Sequence, residues 1–196
     1  MDREHRAQAQ EAELVARLRQ GDRDALEQLY RRYVDRLYSL VFYQVGRNKS
    51  VAEDIVQEIF LATLKSAHKF RGESKFYTWL CGIAYHKVND FYRQQSRQNG
   101  PGQTSSPTAH LVLEQIAETE PTAQSQIESH ETKQVVEQAL SRLPLSYRQA
   151  LIFKYVEQMS VSEISLVMGR SPKSVEGILA RARKTLRTAL DKLSEG

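Results

Sequence analysis

The chain has 196 residues, 40% hydrophobic and 27% charged, with 28 Lys and Arg against 24 Asp and Glu for a net charge of +4. This is the composition of a globular chain with room for one ordinary domain or two small ones, and it holds no apolar run of the roughly eighteen residues a membrane helix needs. The lone cysteine, Cys81, excludes an internal disulfide and a cysteine zinc site and suits a reducing cytoplasm, while the polar opening MDREHRAQAQEAE is no secretory signal.

Charge is segregated along the chain. Lys69 to Arg97 is basic, Gln98 to Thr132 contains Glu but no Lys or Arg, and Arg170 to Arg187 is basic again with Glu176 as its only acid. A net positive balance leans toward an anionic partner.

Apolar residues recur at three and four throughout, without strand alternation, so the chain is read as all-α. Leu14 and Leu18 open a first helix. Leu26, Leu29, Tyr30, Tyr33, Val34, Leu37 and Tyr38 line a second, which closes near Gly46. Ser50-Val-Ala-Glu53 has the form of a capping box and predicts a third helix that buries Ile55, Ile59, Ala62 and Leu64. Glu53, Asp54 and Glu58 on it suit a solvated acidic face, and no His or Cys accompanies them at metal-ligand spacing. No cofactor is expected.

Gly72 breaks the pattern before a fourth helix from about Phe76 to Gln95, in which FYTWLCGIAYHKVNDFYR concentrates aromatic rings beside Lys87 and Arg93. This stretch reads in two ways. The rings can be an ordinary core, or they can stack on unpaired bases while the cations take phosphates. The small polar loop Phe70–Lys75 before it suits a base turned out of its stack.

NGPGQTSSP, from Asn99 to Pro107, is loop or linker by every local rule, and Pro121 adds a break. The expected organisation is two small helical domains, 1–97 and 127–196, joined by a flexible acidic linker, 98–126. Val135, Val136, Ala139 and Leu140 carry a helix that Leu143-Pro144 interrupts, and another runs from Tyr147 to Tyr155.

Ser160-Val-Ser-Glu163 is a second capping box, opening VSEISLVM. Gly169 suits a left-handed C-cap, and Ser171-Pro172 suits an N-cap followed by proline at the first helical position. Val175, Ile178, Leu179, Ala182, Leu186, Leu190 and Leu193 share a face of the last helix. Two helices across a tight glycine turn form a helix-turn-helix, with apolar Ile164, Met168, Val175 and Ile178 and small Ser165 where the helices cross. Its second helix would enter a major groove with Ser171, Lys173, Ser174, Glu176, Gly177, Ala180 and Arg181 toward the DNA, and Arg183 and Lys184 toward phosphates. The alternative is an amphipathic hairpin with a solvated basic face.

The ordered set AED-VQ-IF, FRG-S-F-TWL-IA-D-R, LP-RQ and a helix-turn-helix ending in RAR resembles the extracytoplasmic-function (ECF) sigma factors of the bacterial sigma-70 family. The resemblance covers nearly the whole chain in two blocks. It implies a non-catalytic subunit of RNA polymerase that directs core enzyme to promoters and helps melt the −10 region. By resemblance, 1–97 is sigma region 2 and 127–196 is sigma region 4. The helix matching Ala52–Lys69 docks on core polymerase through Asp54, Gln57, Glu58 and Phe60. Gly72, Ser74, Lys75, Phe76, Tyr77, Thr78 and Trp79 match the −10 pocket, with Lys87, Asp90 and Arg93 on the helix beside it. The last helix matches the −35 reader.

The implied partners are bacterial core RNA polymerase, promoter DNA and, from the family alone, an anti-sigma factor. The implied location is the cytoplasm, without membrane insertion. Gly82 and His86 depart from the family's usual Arg and Asn, and Val175-Glu-Gly-Ile178 departs from its usual recognition-helix run. A free-standing helix-turn-helix regulator and a helical protein adaptor are the rival readings. An enzyme is disfavoured because no nucleophile–base pair or phosphate loop is present.

Overall fold

The computed structural model describes residues 2–98, 136 and 138–194, and every regular element among them is helical. In chain order these are α1 (Asp2–Arg19), α2 (Arg23–Gln44), α3 (Lys49–Ser66) with a 3₁₀ turn at Ala67–Lys69, and α4 (Phe76–Gln98). After a helical stretch ending at Ser141 come α5 (Leu145–Leu151), which passes into a π turn at Ile152–Val156, then α6 (Val161–Met168) and α7 (Pro172–Ser194). Most of the expected linker, and Val135 of the helix after it, lie outside the described residues.

Local chemistry sets the helix starts. Asp22 caps α2, its carboxylate accepting from the amides of Asp24 at 2.9 Å and Ala25 at 3.2 Å and from Arg17 Nε at 2.8 Å. The Arg17 hydrogen bond is the main reason its carboxyl is held below the ordinary carboxylate value. At α3 the expected box at Ser50 does not form. Gly46 and Arg47 both have positive φ as the chain leaves α2, so Asn48 is the first extended residue and takes the cap, accepting from the Val51 amide at 3.1 Å. Asn caps as well as Ser, and Ser50 falls inside the first turn.

α2, α3 and α4 pack on one another around Leu29, Leu37, Val41, Ile55, Ile59, Leu80 and Val88, with Val15 and Leu18 of α1 closing one side. Ile55 and Ile59 are buried as expected, whereas Ala62 and Leu64 are only half-buried and Thr63 takes the inward place, its hydroxyl bonded to the Ile59 carbonyl. In the C-terminal half, α5, α6 and α7 enclose Phe153, Ile164, Val167, Val175, Ile178 and Ala182.

These two sets of helices share one core. α4 lies against α6, α2 touches α5, and Tyr85 meets Phe153 with ring centroids 6.5 Å apart. The π turn helps to make that junction. Its extra residue in the turn shifts later side chains by about 100° around the axis relative to an α-helix. Glu157 follows directly, its amide bonded to the Ile152 carbonyl at 3.0 Å, and Gln158 then reverses the chain at φ 54°.

Candidate nucleic-acid interface

The helix-turn-helix forms as its sequence requires. Ser160 Oγ accepts from the Glu163 amide at 3.1 Å, and the Glu163 carboxylate accepts from the Ser160 amide at 2.9 Å, a complete capping box. Gly169 has φ 61°, where a side chain would be strained, and turns the chain between α6 and α7. Ser171 Oγ then accepts from the Ser174 amide at 3.3 Å to start α7. Ser165 is buried where the helices cross, its hydroxyl returned to the Val161 carbonyl.

Burial divides α7 cleanly. Val175, Ile178, Leu179 and Ala182 face the core, while Lys173, Glu176, Ala180, Arg181, Arg183 and Lys184 are exposed, as is Ser171 ahead of the helix. Ser174 and Gly177 are half-buried at the edge of that face. Gly177 has open space above it except for the Arg181 guanidinium, 3.5 Å from where a Cβ would stand. Arg183 reaches toward the Tyr155 hydroxyl at 3.5 Å. The outward side of α7 is thus a small-residue floor, Gly177 and Ala180, bordered by cations. Such a surface lets a backbone approach a groove while Arg and Lys meet phosphates.

The second surface is at the start of α4. The loop before it turns at Gly72, φ 77°, and bounds a pocket of about 230 Å³. Trp79 and Phe70 supply its ring walls, Thr78 and Ser74 its hydroxyls, and exposed Lys69 and Arg71 its cations; Leu166 of α6 closes one side. Gly82 also lines it, with nothing within 4 Å of where a side chain would begin, so the departure from Arg leaves the pocket wider. Trp79 is half-buried and packs on Phe70 at 5.2 Å and Phe76 at 5.6 Å, so the ring belongs to the core and to the pocket at once.

The remaining expected −10 residues are placed differently. Phe76, Tyr77 and Thr78 are buried. Phe76 lies in the aromatic cluster with Tyr33, and Tyr77 stacks on Tyr33 at 5.5 Å. Lys87 is not turned outward alone, since it pairs with Glu58 of α3 at 2.8 Å. Asp90 and Arg93 pair with each other at 2.6 Å on the surface of α4.

On α3, Asp54, Gln57 and Glu58 are exposed on one side. Phe60 is 6% exposed and lies under Tyr30, centroids 4.7 Å apart, because it falls in the inward register with Ala52, Val56, Ile59 and Thr63. The apolar residue that the outward face presents is Leu61, which is 59% exposed.

The sequence pattern did not single out Glu157, Arg36 or Gln44, which lie between the two halves. Glu157, with a side chain 6% exposed, accepts at Oε2 from Arg36 Nε, Arg36 Nη2 and the Tyr77 hydroxyl, each at 2.9 Å. Arg36 lies over the Tyr77 ring at 3.9 Å from its centroid. Lys75 Nζ stands 3.6 Å from the Glu163 carboxylate and Thr78 Oγ1 3.5 Å from it. Gln149 donates to Gln44 at 3.0 Å in the core, Arg148 donates to the Tyr92 hydroxyl at 3.1 Å, and Tyr92 donates to the Gln44 carbonyl at 2.8 Å. Burial, with the Cys81 thiol and the negative Glu157 nearby, pushes the Tyr77 hydroxyl far above its ordinary value. Burial and Glu157 push the Cys81 thiol up likewise. Both groups are therefore neutral hydrogen-bonding groups at neutral pH.

Comparison with known proteins finds matches in both halves of the chain. Residues 29–98 match the family model for sigma-70 region 2, and residues 133–186 match that for sigma-70 region 4. The chain is 29% identical over 189 residues to the ECF RNA polymerase sigma-E factor of Haemophilus influenzae, covering 92% of this chain and 95% of that one. It is 29% identical over 174 residues to the sigma factor SigX of Bacillus subtilis, covering 88% and 87%. In fold it resembles CnrH, solved in complex with the cytosolic domain of CnrY, with a TM-score of 0.63 and 24% identity over 91% of this chain and 96% of that one. The sigma factor RpoE of Bartonella quintana, solved with the anti-sigma factor NepR, also has a TM-score of 0.63, at 17% identity over 84% and 96%.

Proposed function

Because the chain belongs to the ECF sigma factors of the sigma-70 family, and so binds RNA polymerase and initiates transcription rather than acting as an enzyme, we propose that its two halves divide promoter recognition between them. Residues 127–196 read the −35 element through α7. Ser171, Lys173, Ser174, Glu176, Gly177, Ala180 and Arg181 approach bases and nearby backbone, while Arg183 and Lys184 meet phosphates. Glu176 accepts from a cytosine amino group, a contact that selects against a base lacking that donor.

Residues 1–97 capture the −10 element. The pocket between Gly72 and Gly82 takes an unpaired base, with Trp79 as its ring wall and Ser74, Lys75 and Thr78 at its mouth. Phe76 and Tyr77 support the pocket from beneath. Lys87, Asp90 and Arg93 continue the surface along α4. Asp54, Gln57, Glu58 and Leu61 form the face of α3 for core polymerase, with Phe60 supporting it from within. The acidic segment 98–126 joins the two readers. An anti-sigma factor is a further partner, as NepR is for the sigma factor from Bartonella quintana. No described helix is long and apolar enough to cross a membrane. Work beside polymerase in the cytoplasm is the location that the sigma-factor reading implies.

One observation carries the division of labour: a helix-turn-helix whose first helix is capped at both ends and whose second helix has an exposed face that is cationic around a floor of small residues. Run-off transcription on genomic fragments, with bacterial core polymerase with and without this chain, tests it. Discrete start sites that need the chain are expected, and their alignment gives both elements. If no starts appear while the chain alone shifts specific duplexes, it acts as a free-standing regulator.

A further inference from the structure

We propose that the pocket at the start of α4 is also the binding site of a free purine nucleoside monophosphate, its base between Trp79 and Leu166 and its phosphate on Lys69 and Arg71. The inference rests on the −10 reading of the same pocket, because the free nucleotide and the unpaired base of a strand exclude each other there.

The space is particular to this chain. Gly82 stands where the family usually has Arg, and nothing lies within 4 Å of where its side chain would begin. An arginine at that position would project into the pocket, and without one about 230 Å³ stays open. Sites for drug-sized ligands commonly begin near about 300 Å³. This one therefore suits a single flat ring system rather than a larger molecule.

Its walls are those a base needs. Phe70 and Trp79, with centroids 5.2 Å apart, form the ring side. Leu166 at the pocket's edge is 61% exposed, a large apolar side chain left uncovered. A base laid between the indole and this leucine covers apolar surface on both of its faces, and stacking of this kind strengthens binding by roughly tenfold per base. A purine, with two fused rings, covers more of the indole than a pyrimidine does. Two hydroxyls line the same space and are weakly engaged. Ser74 Oγ makes only a 3.3 Å bond to the Lys75 carbonyl, and Thr78 Oγ1 stands 3.5 Å from Glu163, so both are free to turn to a base edge.

Charge selects the phosphate. The lining carries two cations, Lys69 and Arg71, and one acid, Glu73, which lies 4.0 Å from Arg71. The balance is a single positive charge on the exposed rim. A monophosphate meets it with charge-assisted hydrogen bonds. A triphosphate brings more negative charge than the rim can answer, and a nucleoside leaves the cations unused.

One pocket serving both ligands couples them. Apparent affinity for the strand falls by one plus the ratio of nucleotide concentration to its dissociation constant, about tenfold when that ratio is about ten. Promoter opening by this chain thereby responds to the supply of free purine monophosphate.

Trp79 is the only tryptophan in the chain, so its fluorescence reads the pocket directly. The full chain is titrated with adenosine monophosphate and with guanosine monophosphate, and calorimetry repeats each titration. The controls are adenosine, cytidine monophosphate, adenosine triphosphate and inorganic phosphate. At least one purine monophosphate should quench Trp79 saturably and bind about tenfold more tightly than every control. Gly82→Arg should abolish the quench, while Gly82→Ala, whose methyl group meets nothing, should keep it. Lys69→Ala/Arg71→Ala, on the exposed rim, should bring the monophosphate down to the affinity of the nucleoside. Unchanged helical circular dichroism identifies the folded variants, and the rim variant carries the test if Gly82→Arg does not fold. A quench still unsaturated at about 10 mM overturns the proposal. So does any control that binds as tightly as the purine monophosphates, or a quench that folded Gly82→Arg leaves intact. Run-off transcription without added monophosphate tests the promoter reading separately, so either reading can fail while the other stands.

Discussion

Replacing Glu157 by Ala removes one acceptor from three donors, and the cost follows from what each donor does next. Arg36 is half-exposed, its side chain 53% accessible, so water re-solvates much of its charge and the loss on that side is about 1 kcal/mol. The Tyr77 hydroxyl is buried, and leaving it without an acceptor costs about 1–2 kcal/mol more. The sum is roughly 2–3 kcal/mol, below the 3–5 typical of breaking a fully buried pair. For a protein of this size it corresponds to a Tm lower by about 4–12 °C. Urea denaturation followed by circular dichroism measures the loss. A double-mutant cycle with Tyr77→Phe isolates the shared bond, whose coupling should be about 1 kcal/mol. A loss under about 0.5 kcal/mol, or two variants whose effects simply add, refutes the reasoning, because a carboxylate gripped at 2.9 Å by both partners cannot be energetically silent.

Arg181→Ala should weaken duplex binding and reduce the slope of log K against log salt by about 0.9; an unchanged slope refutes the assignment of that face of α7 to DNA. Ser160→Ala should cost about 1 kcal/mol of stability by removing the hydroxyl that caps α6, measurable in the same denaturation experiment. The stability profile should fall at both ends of the pH range. The Ser160 amide first, then its hydroxyl and Lys75, hold the Glu163 carboxyl below its ordinary 4.5, so that stabilisation is present above this value and is lost as pH drops through the lower folded value. Cys81 and Tyr77 are raised above their ordinary 9.0 and 10.0, chiefly by burial. The unfolded chain therefore ionises first, and stability declines as pH rises past about 9. An alkaline limb unchanged in Tyr77→Phe would remove Tyr77 from that account.

What could be read from the sequence was what is decided within a few residues. The Ser160–Glu163 box, the Gly169 turn, the Ser171-Pro172 start and the buried stripe of α7 all depend on neighbours in the chain, and each stands where its pattern put it. The cap of α3 was misplaced by two residues because both Asn48 and Ser50 are good caps, and the choice was made by positive φ at Gly46 and Arg47, which spacing does not reveal. Phe60 resembled a contact residue by its place in a motif, yet the register of α3 turns it inward and turns Leu61 outward. Glu157 carried no local signal. Its partner Arg36 is 121 positions away, and only the packing of two halves brings them together. Glu163 was assigned as a cap, and that reading was right but incomplete, since the carboxylate that closes the box also faces Lys75.

The thiol of Cys81 gives the molecule a native reporter of its own breathing. It is fully enclosed, with the Tyr77 hydroxyl and the carboxylate of Glu157 beside it, so one wall of its enclosure belongs to the other half of the chain. When the halves part, the negative neighbour and part of the desolvation leave together, and both changes favour the thiolate, the form that reacts. The rate at which Cys81 is modified by a small disulfide reagent therefore tracks the fraction of molecules momentarily apart. No label has to be introduced, and a polymerase, an inhibitor or a promoter strand can each be scored by whether it quickens or slows that one reaction.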